Sequence, residues 1–229
     1  MKIRIRFSKH GSVRFIGHLD IMRYFQKAIR RAGIPVSFSQ GYHPHQLLTF
    51  ASPLGVGMES SGEYLDIEVE ECSSIEELQE ALEAQMAEGI DVLSARILPE
   101  HAANAMSIVA AADYRLGWPQ NMPCTADELA QLAAQFTAQD SIPILKKTKK
   151  HERVVDIRPM IYDLRAEGSS LYLRCASGSE ANLKPQQLLE TMLRSGGLEY
   201  NPYACLITRL DLFARTKDGQ LVSLEKYNG

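Results

Sequence analysis

Two polar loops near the N-terminus hold the residues best suited to chemistry. Residues 9–20 read Lys-His-Gly-Ser-Val-Arg-Phe-Ile-Gly-His-Leu-Asp, and residues 39–45 read Ser-Gln-Gly-Tyr-His-Pro-His. The loops contain four of the six histidines of the chain. Glycine lets a backbone approach a ligand closely, and a helix that begins after His18 would offer unpaired amide donors beside Lys9 and Arg14. The loops therefore predict a phosphate site, although no GxxxxGK[ST] or GxGxxG motif accompanies them.

Two other interpretations of these loops stay open. The side chains of His18, Asp20, His43 and His45 have metal-ligand chemistry, but a spacing of one residue between two histidines is unspecific. His18 or His43 could also act as a general acid or base, although no nucleophile or second acid is singled out by spacing. Ordinary hydrogen-bonded loop histidines are the structural alternative. We expect no metal and no cofactor in this chain.

Basic residues flank these loops on the preceding strand and the following helix. Lys2, Arg4 and Arg6 alternate with Ile3, Ile5 and Phe7, so we expect the cations to line the open face of a sheet. Alternatively, the acids between Glu63 and Glu70 neutralise them. A second basic stripe, which a solvated helix face would also explain, consists of Arg23, Lys27, Arg30 and Arg31.

A third basic segment lies in the second half of the chain. Residues 146–153 hold four lysines and an arginine, among them Lys147, Lys149 and Lys150. This segment predicts a basic hairpin tip that contacts phosphate or is simply solvated. Arg158 follows on a strand, where it could pair with Asp156.

The bulk composition is that of a globular protein with an uneven charge distribution. The chain has 229 residues, 45% hydrophobic residues and a net charge of −3. Residues 1–50 hold nine Lys or Arg against one acid, a formal +8, whereas residues 51–104 hold one Arg against thirteen acids, a formal −12. Such asymmetry indicates an anionic partner for the basic part, or neutralisation within one fold.

The cysteine spacing and the hydropathy exclude further classes of protein. The four cysteines form no CxxC pair, which argues against a zinc ribbon or an iron–sulfur cluster. Neither a signal peptide nor an apolar run of about 18 residues is visible. We therefore expect a cytoplasmic protein with no membrane partner.

The elements that must position these residues follow a recurring order. A strand at 2–7, a helix at 19–32, strands at 36–51 and 63–70, a helix at 75–86 and a strand at 90–98 make β-α-β-β-α-β. The second half of the chain shows a similar order of strands and helices less clearly. The sequence thus predicts an α+β protein of two ferredoxin-like (split β-α-β) domains with antiparallel sheets, at residues 1–104 and 105–229.

The loop motifs resemble a bacterial domain family of unknown function, the radical-SAM-linked or radical-SAM-associated proteins. The similar segments are Arg4–Lys9, Arg14–Asp20, Ser39–His45 and Val155–Pro159, so the resemblance covers nearly the whole chain. Gly17 stands where the family usually has Ser, and Tyr42-His43 replaces the common Phe-Asn. The resemblance implies association with a radical SAM protein, often in an RNA-metabolism setting. The cluster chemistry would belong to that partner, because this chain lacks a CxxxCxxC run.

Together these features predict an RNA-binding accessory protein that presents structured RNA to a radical SAM modifying enzyme. One alternative is an RNA-processing or RNA-modifying enzyme that uses His18 or His43, and another is a protein-interaction module that docks on the radical SAM partner. Ligand contacts are expected from Arg4, Arg6, Lys9, Arg14, His18, Asp20, Arg23, Lys27, Gln40, His43, His45, Lys147, Lys149, Lys150 and Arg158.

Overall fold

A computed structural model describes residues 1–147 and 152–228, with the backbone alone for residues 146 and 147. The described chain is a mixed α+β protein with mostly antiparallel sheets. None of its described helices has the length and apolar character needed to cross a membrane. The strands are β1 (Lys2–Lys9), β2 (Leu48–Phe50), β3 (Glu59–Glu68), β4 (Val92–Ile97), β5 (Val109–Gly117), β6 (Pro143–Lys147), β7 (Glu152–Asp156), β8 (Ile161–Glu167), β9 (Ser170–Ala176), β10 (Leu206–Arg215) and β11 (Leu221–Ser223). The helices are α1 (His18–Arg31), α2 (Ile75–Glu83), α3 (Ala105–Ile108), α4 (Ala126–Thr137) and α5 (Pro185–Ser195).

The chain divides into two compact units. Unit 1 comprises Met1–Ala110 and Arg209–Gly229, and unit 2 comprises Ala111–Thr208. The domain bounds 1–104 and 105–229 stay a prediction. The segment after residue 208, which the sequence assigned to the second domain, belongs to unit 1 because its strands and its final turn pack there.

The first unit follows the predicted β-α-β-β-α-β order. Its sheet runs β4-β1-β3-β10, with β2 paired to β3 and β11 paired to β10. β1 lies antiparallel to both neighbours, with Ile5 opposite Leu65 of β3 and Ala95 of β4. The alternation of β1 turns Ile3, Ile5 and Phe7 into the core under α1, which contributes Phe25 and Ile29 among other residues.

The two longer helices of unit 1, α1 and α2, have recognisable start or end signals in the sequence. α1 starts after Gly17, and the chain leaves it through Gly33, whose φ of 69° few other residues adopt. Ser74 caps α2 by accepting a hydrogen bond from the amide of Glu77 at 3.1 Å. These signals explain why helix positions could be predicted to within a few residues.

Unit 2 is built differently from the predicted second ferredoxin-like domain. Its sheet runs β5-β9-β8, while β6 and β7 pair only with each other in the described residues. Thr125 and Glu128 form a capping box that starts α4, and α4 packs on β8 and α5. The split β-α-β order is therefore not confirmed for the second half, because β6 and β7 form a separate hairpin.

Candidate functional site

The first polar loop is folded back over the end of β1 by Lys9. The Nζ of Lys9 donates hydrogen bonds to the carbonyl oxygens of Ile16 at 2.7 Å and Arg14 at 3.4 Å. The side chain is buried, and burial lowers the pKa of Lys9, although the Glu63 carboxylate opposes that shift. Lys9 was expected to contact an outside ligand, but this geometry makes it the internal anchor of the loop.

Beneath the loop lies a buried ion pair between Glu63 of β3 and Arg209 of β10. The Nε of Arg209 donates to Glu63 Oε1 at 2.7 Å, and its Nη2 donates to the other carboxylate oxygen. The same Nη2 donates to the carbonyl of Ser52 at 3.1 Å. Two parallel bonds to one carboxylate fix both partners, so the pair holds the chain at Ser52 against the sheet.

His18 lies above this pair as the first residue of α1. Its ring packs edge-on against Phe50, with 5.3 Å between ring centroids, and the side chain is half-buried. Burial lowers the pKa of His18, and the positive charges of Arg209 and Lys9 act in the same direction while Glu63 opposes them. The imidazole is therefore neutral at pH 7, able to donate from one ring nitrogen and accept at the other.

A small cavity separates His18 from the buried charges. Its volume is about 20 Å³, and its lining includes Lys9, His18 and Glu63. A cavity of this size has room for about one water molecule. The arrangement can position the His18 ring and supply it with a polar neighbour, but it cannot enclose a nucleotide.

The outer surface of the loop combines a cation with exposed apolar side chains. The guanidinium of Arg14 lies 4.8 Å from the centroid of the Phe15 ring, and Phe15 is 62% exposed. Arg14 also pairs with Glu59 at 3.3 Å. Leu19 and Val56 are equally exposed, and the hydrogen bond from Gly57 N to Arg14 O places residue 56 beside the loop. We call Arg14, Phe15, Leu19, Arg23 and Lys27 the loop–helix surface.

The helical part of the loop–helix surface carries its cations outward. Arg23 and Lys27 are exposed one turn apart on α1. Asp20, which was expected to contact a ligand, lies 3.4 Å from the guanidinium of Arg23 and partly neutralises it. Because both side chains of this pair are about two-thirds exposed, Arg23 can exchange partners.

The second polar loop is closed on itself by Ser39 and His45. The Oγ of Ser39 lies 2.8 Å from His45 Nδ1 and accepts a hydrogen bond from His45 N at 3.1 Å. Gln40, Tyr42 and His43 are exposed. The loop therefore presents polar and aromatic side chains to solvent, with His45 held in place by Ser39.

The two loops join the sheet at different levels. Lys9 is opposite Ser60 on β3, whereas the second loop is held through Glu68, whose carbonyl accepts from Ser37 N and whose amide donates to Leu47 O. These positions are eight residues apart, or about 26 Å along a strand. Among the described residues, no hydrogen bond, ion pair or ring contact links residues 9–20 to residues 39–45. These contacts therefore do not bring His18 together with His43 and His45.

The cations of β1 do not line an open face. Arg4 is buried and donates two bonds to Asp66, from Nε at 2.8 Å and from Nη2 at 3.0 Å, and its Nη1 donates to Leu224 O at 3.2 Å. Arg6 pairs with Glu225 at 2.7 Å. The C-terminal turn covers this face, so the expected exposure of Arg4 was wrong, while the alternative of neutralisation by acids of β3 describes Arg4 correctly.

The remaining expected residues belong to unit 2. Arg158 donates its Nε to Thr137 O at 2.9 Å and its Nη1 to Ile161 O at 3.3 Å, so its guanidinium ties the chain internally. Asp156 accepts from the backbone amide of Arg158 at 2.9 Å. Lys149 and Lys150 lie outside the described residues, as does the side chain of Lys147.

No group of three or more His, Cys, Asp or Glu side chains that could hold a metal ion occurs in the part of the chain that the structure describes. The alternative of a metal site made by His18, Asp20, His43 and His45 therefore has no geometric support. The histidines of the second loop are exposed, with His45 bonded to Ser39, and His18 faces Phe50 instead.

Sequence reasoning missed Glu63 and Arg209, which lie under His18. The two residues are 146 positions apart, and only the fold brings them together. One signal was available, because Arg209 stands in phase with buried Ile207 in a strand where a cation is unusual.

The comparison with family models decides the membership of this chain. Residues 2–185 match the model of an uncharacterized protein conserved in bacteria (DUF2344). The chain belongs to this family. The description of the family names no activity or partner, and no curated protein matches the sequence.

Two solved structures are among those similar to this chain. One is a chain in the crystal structure of a Cbf5-Nop10-Gar1 complex, with a TM-score of 0.48 and 9% identity over 92% of this chain and 48% of that chain. This chain thus spans about half the length of that one. The other contains the first two RRM domains of the yeast poly(U) binding protein Pub1, with a TM-score of 0.22 and 9% identity over 91% of this chain and 98% of that chain.

Proposed function

We propose that this protein binds RNA through the loop–helix surface and acts as an accessory to a radical SAM modifying enzyme. The observation that carries the proposal is the exposed ring of Phe15 beside half-buried Arg14, whose guanidinium lies 4.8 Å from the ring centroid. An exposed aromatic ring with an adjacent guanidinium offers a stacking face and a phosphate donor within one contact.

The rest of the loop–helix surface supports an extended strand. Arg23 and Lys27 follow on the exposed side of α1 and can neutralise further phosphates. Single-stranded nucleic acids are bound by cations that follow the backbone and aromatic rings that stack on the bases. A strand that stacks on Phe15 would therefore continue along α1.

The imidazole of His18, next to this surface, could form a hydrogen bond to the RNA. Because its pKa is lowered by burial, the ring stays neutral at pH 7 and can read a base edge or a ribose hydroxyl as donor or acceptor. Gln40, His43 and His45 form a separate contact region for a longer RNA in this proposal. Arg4, Arg6 and Lys9 are left out of it, since their charges are satisfied inside the fold.

The partnership with a radical SAM enzyme rests on the loop motifs shared with radical-SAM-linked proteins. The accessory would hold the RNA while the partner supplies the cluster chemistry. In co-purification from cells that contain both proteins, we expect recovery of a radical SAM protein that decreases after nuclease treatment. Recovery of none from nuclease-free extracts would contradict the partnership without touching RNA binding itself.

RNA binding is tested by fluorescence anisotropy with a labelled single-stranded RNA of mixed sequence. We expect Phe15→Ala to weaken binding by about 5- to 150-fold, the value of one stacked base. Lys27→Gln should reduce the slope of log K against log [salt] by about 0.7. Arg194→Gln, which changes an exposed arginine of α5 in unit 2, is the matched control and should leave both quantities unchanged.

If the purified protein binds no RNA at about 50 mM salt, where electrostatic contacts are strongest, the proposal is wrong. If Phe15→Ala and Arg194→Gln weaken RNA affinity equally, the RNA binds non-specifically elsewhere on the chain.

A second candidate function, docking on a protein partner, is favoured by the apolar part of the same region. Phe15, Leu19 and Val56 are each more than half exposed, and contiguous exposed apolar side chains mark interaction surfaces. Leu19→Ser, which removes apolar surface without adding a negative charge beside Arg23, distinguishes the two functions. If docking is the role, this change should abolish the capture of a partner protein that otherwise survives nuclease and high salt. RNA binding should persist, because it depends on Arg23 and Lys27.

A further inference from the structure

Unit 2 contains an open cavity that takes no part in the proposed function. Its volume is about 720 Å³, within the range of about 300–1,000 Å³ for small-molecule sites. One wall is the loop after β5 and the other is the loop that follows α5, while Leu189 and Leu193 of α5 lie between them. The site is independent of the loop–helix surface and goes beyond the proposed function.

Both loops of the cavity are stiffened by their sequence. Pro119, Pro123 and Pro202 each fix one backbone dihedral. Asn121 adopts a φ of 53°, and the Oδ1 of Asn201 accepts a hydrogen bond from the amide of Tyr203 at 2.9 Å. A site with stiff walls loses little conformational entropy when a ligand binds, so this cavity is prepared for a rigid ligand.

The lining chemistry matches a planar heterocycle. It offers aromatic faces for stacking and side-chain amides that can both donate and accept hydrogen bonds. No Lys or Arg is among the described lining residues, and the only acidic one is Glu199. The aromatic and amide lining residues are Trp118, Tyr200, Tyr203, Gln120, Asn121 and Asn201.

We propose that this cavity binds a nucleobase, either as a free nucleoside or as an unpaired base of a strand. Every base has a face that stacks on Trp or Tyr and an edge that exchanges hydrogen bonds with amides. The lining has three side-chain amides and one carboxylate. This composition favours a nucleobase, whose edge exchanges hydrogen bonds, over a quaternary ammonium ion, which needs aromatic faces and a negative charge but no hydrogen-bond donors. The phosphate contributes nothing, because Glu199 repels it and no lining cation attracts it.

The chain carries its own reporter for this site. Trp118 is the only tryptophan of the protein and it lines the cavity. Tryptophan fluorescence is therefore followed while the full chain is titrated with adenosine, guanosine, cytidine or uridine. N-acetyltryptophanamide in the same solutions corrects for absorption by the nucleoside. We expect saturable quenching by at least one nucleoside and no tightening when its 5′-monophosphate is used instead.

Tyr203→Ala tests the stacking contact. Tyr203 is 95% exposed, so its removal does not disturb the core, and binding should weaken by about 5- to 150-fold. Tyr42→Ala is the matched control, since Tyr42 is equally exposed but lies in unit 1. A tetranucleotide that binds no tighter than the nucleoside identifies a free nucleoside as the ligand. Tighter binding that is also weakened by Tyr203→Ala identifies an unpaired base.

Three results would overturn this assignment. They are the absence of saturable quenching by any nucleoside, saturable binding of choline or of a proline-rich peptide in place of nucleosides, and equal weakening by Tyr203→Ala and Tyr42→Ala. Since the RNA test in unit 1 uses Phe15 and Lys27, failure of either proposal leaves the other measurable.

Discussion

Replacing Glu63 by Gln should destabilise the protein strongly. The change keeps the shape of the side chain, but it removes the negative charge and replaces one of the two oxygens that accept from Arg209 by an NH2 donor. Arg209 would remain buried with carbonyl partners, including Ser52 O at 3.1 Å, but without a carboxylate. Breaking a buried pair in this way costs about 3–5 kcal/mol. For a chain of this size, that corresponds to a fall in Tm of about 6–20 °C.

The assay is urea or thermal unfolding followed by circular dichroism, with a double-mutant cycle. Glu63→Gln combined with Arg209→Met should be less damaging than the sum of the two single changes by about 2–3 kcal/mol. Glu190→Gln, which breaks an exposed ion pair with Arg194, should cost less than about 0.5 kcal/mol. If the two single effects add to within about 0.5 kcal/mol, Glu63 and Arg209 are not coupled and the reasoning is refuted.

Three further predictions concern pH, packing and capping. The lowered pKa of His18 means that the unfolded chain takes up its proton first, so stability should fall as pH drops through about 6.5. The expected result for His18→Gln is a flatter curve of unfolding free energy between pH 7.5 and 5, and an unchanged curve would contradict this. Gly62→Ala should destabilise by at least about 1–3 kcal/mol, because a Cβ there would lie 2.5 Å from Leu210 O. Gly117→Ala, whose added Cβ would lie at an ordinary contact distance of 3.9 Å from Ser170 Cβ, serves as its control in the same melting experiment. Thr125→Ala should cost about 0.5–2 kcal/mol through loss of the capping box, and an equal Tm for wild type and variant would disprove that role.

Local signals predicted much of unit 1. The strict alternation of residues 2–7 and the apolar spacing after His18 depend only on neighbouring residues, so β1 and α1 were found with small errors at their ends. Unit 2 was harder, because β6 and β7 form a separate hairpin and β9 pairs with β5 across a long separation in sequence. Alternation identifies a strand but says nothing about its partner.

The candidate site likewise contains residues that local sequence predicts and residues that only the fold places. Arg14, His18, Arg23 and Lys27 were predicted from residue types in one short segment. The exposure of Arg4 was predicted wrongly. Alternation shows only that its side chain points away from the core, whereas its burial depends on the C-terminal turn, 220 positions away in the sequence.

The sequence by itself determined the first-half elements, the helix ends and the grouping of cations and histidines near the N-terminus, since these follow from the chemistry of adjacent residues. The tertiary structure alone decided which charges face solvent. It paired Arg4 with Asp66 and Arg209 with Glu63, and it joined the two polar loops to β3 at different levels. The physical reason is that burial and ion pairing arise from contacts between distant segments, and no local pattern encodes which segments meet.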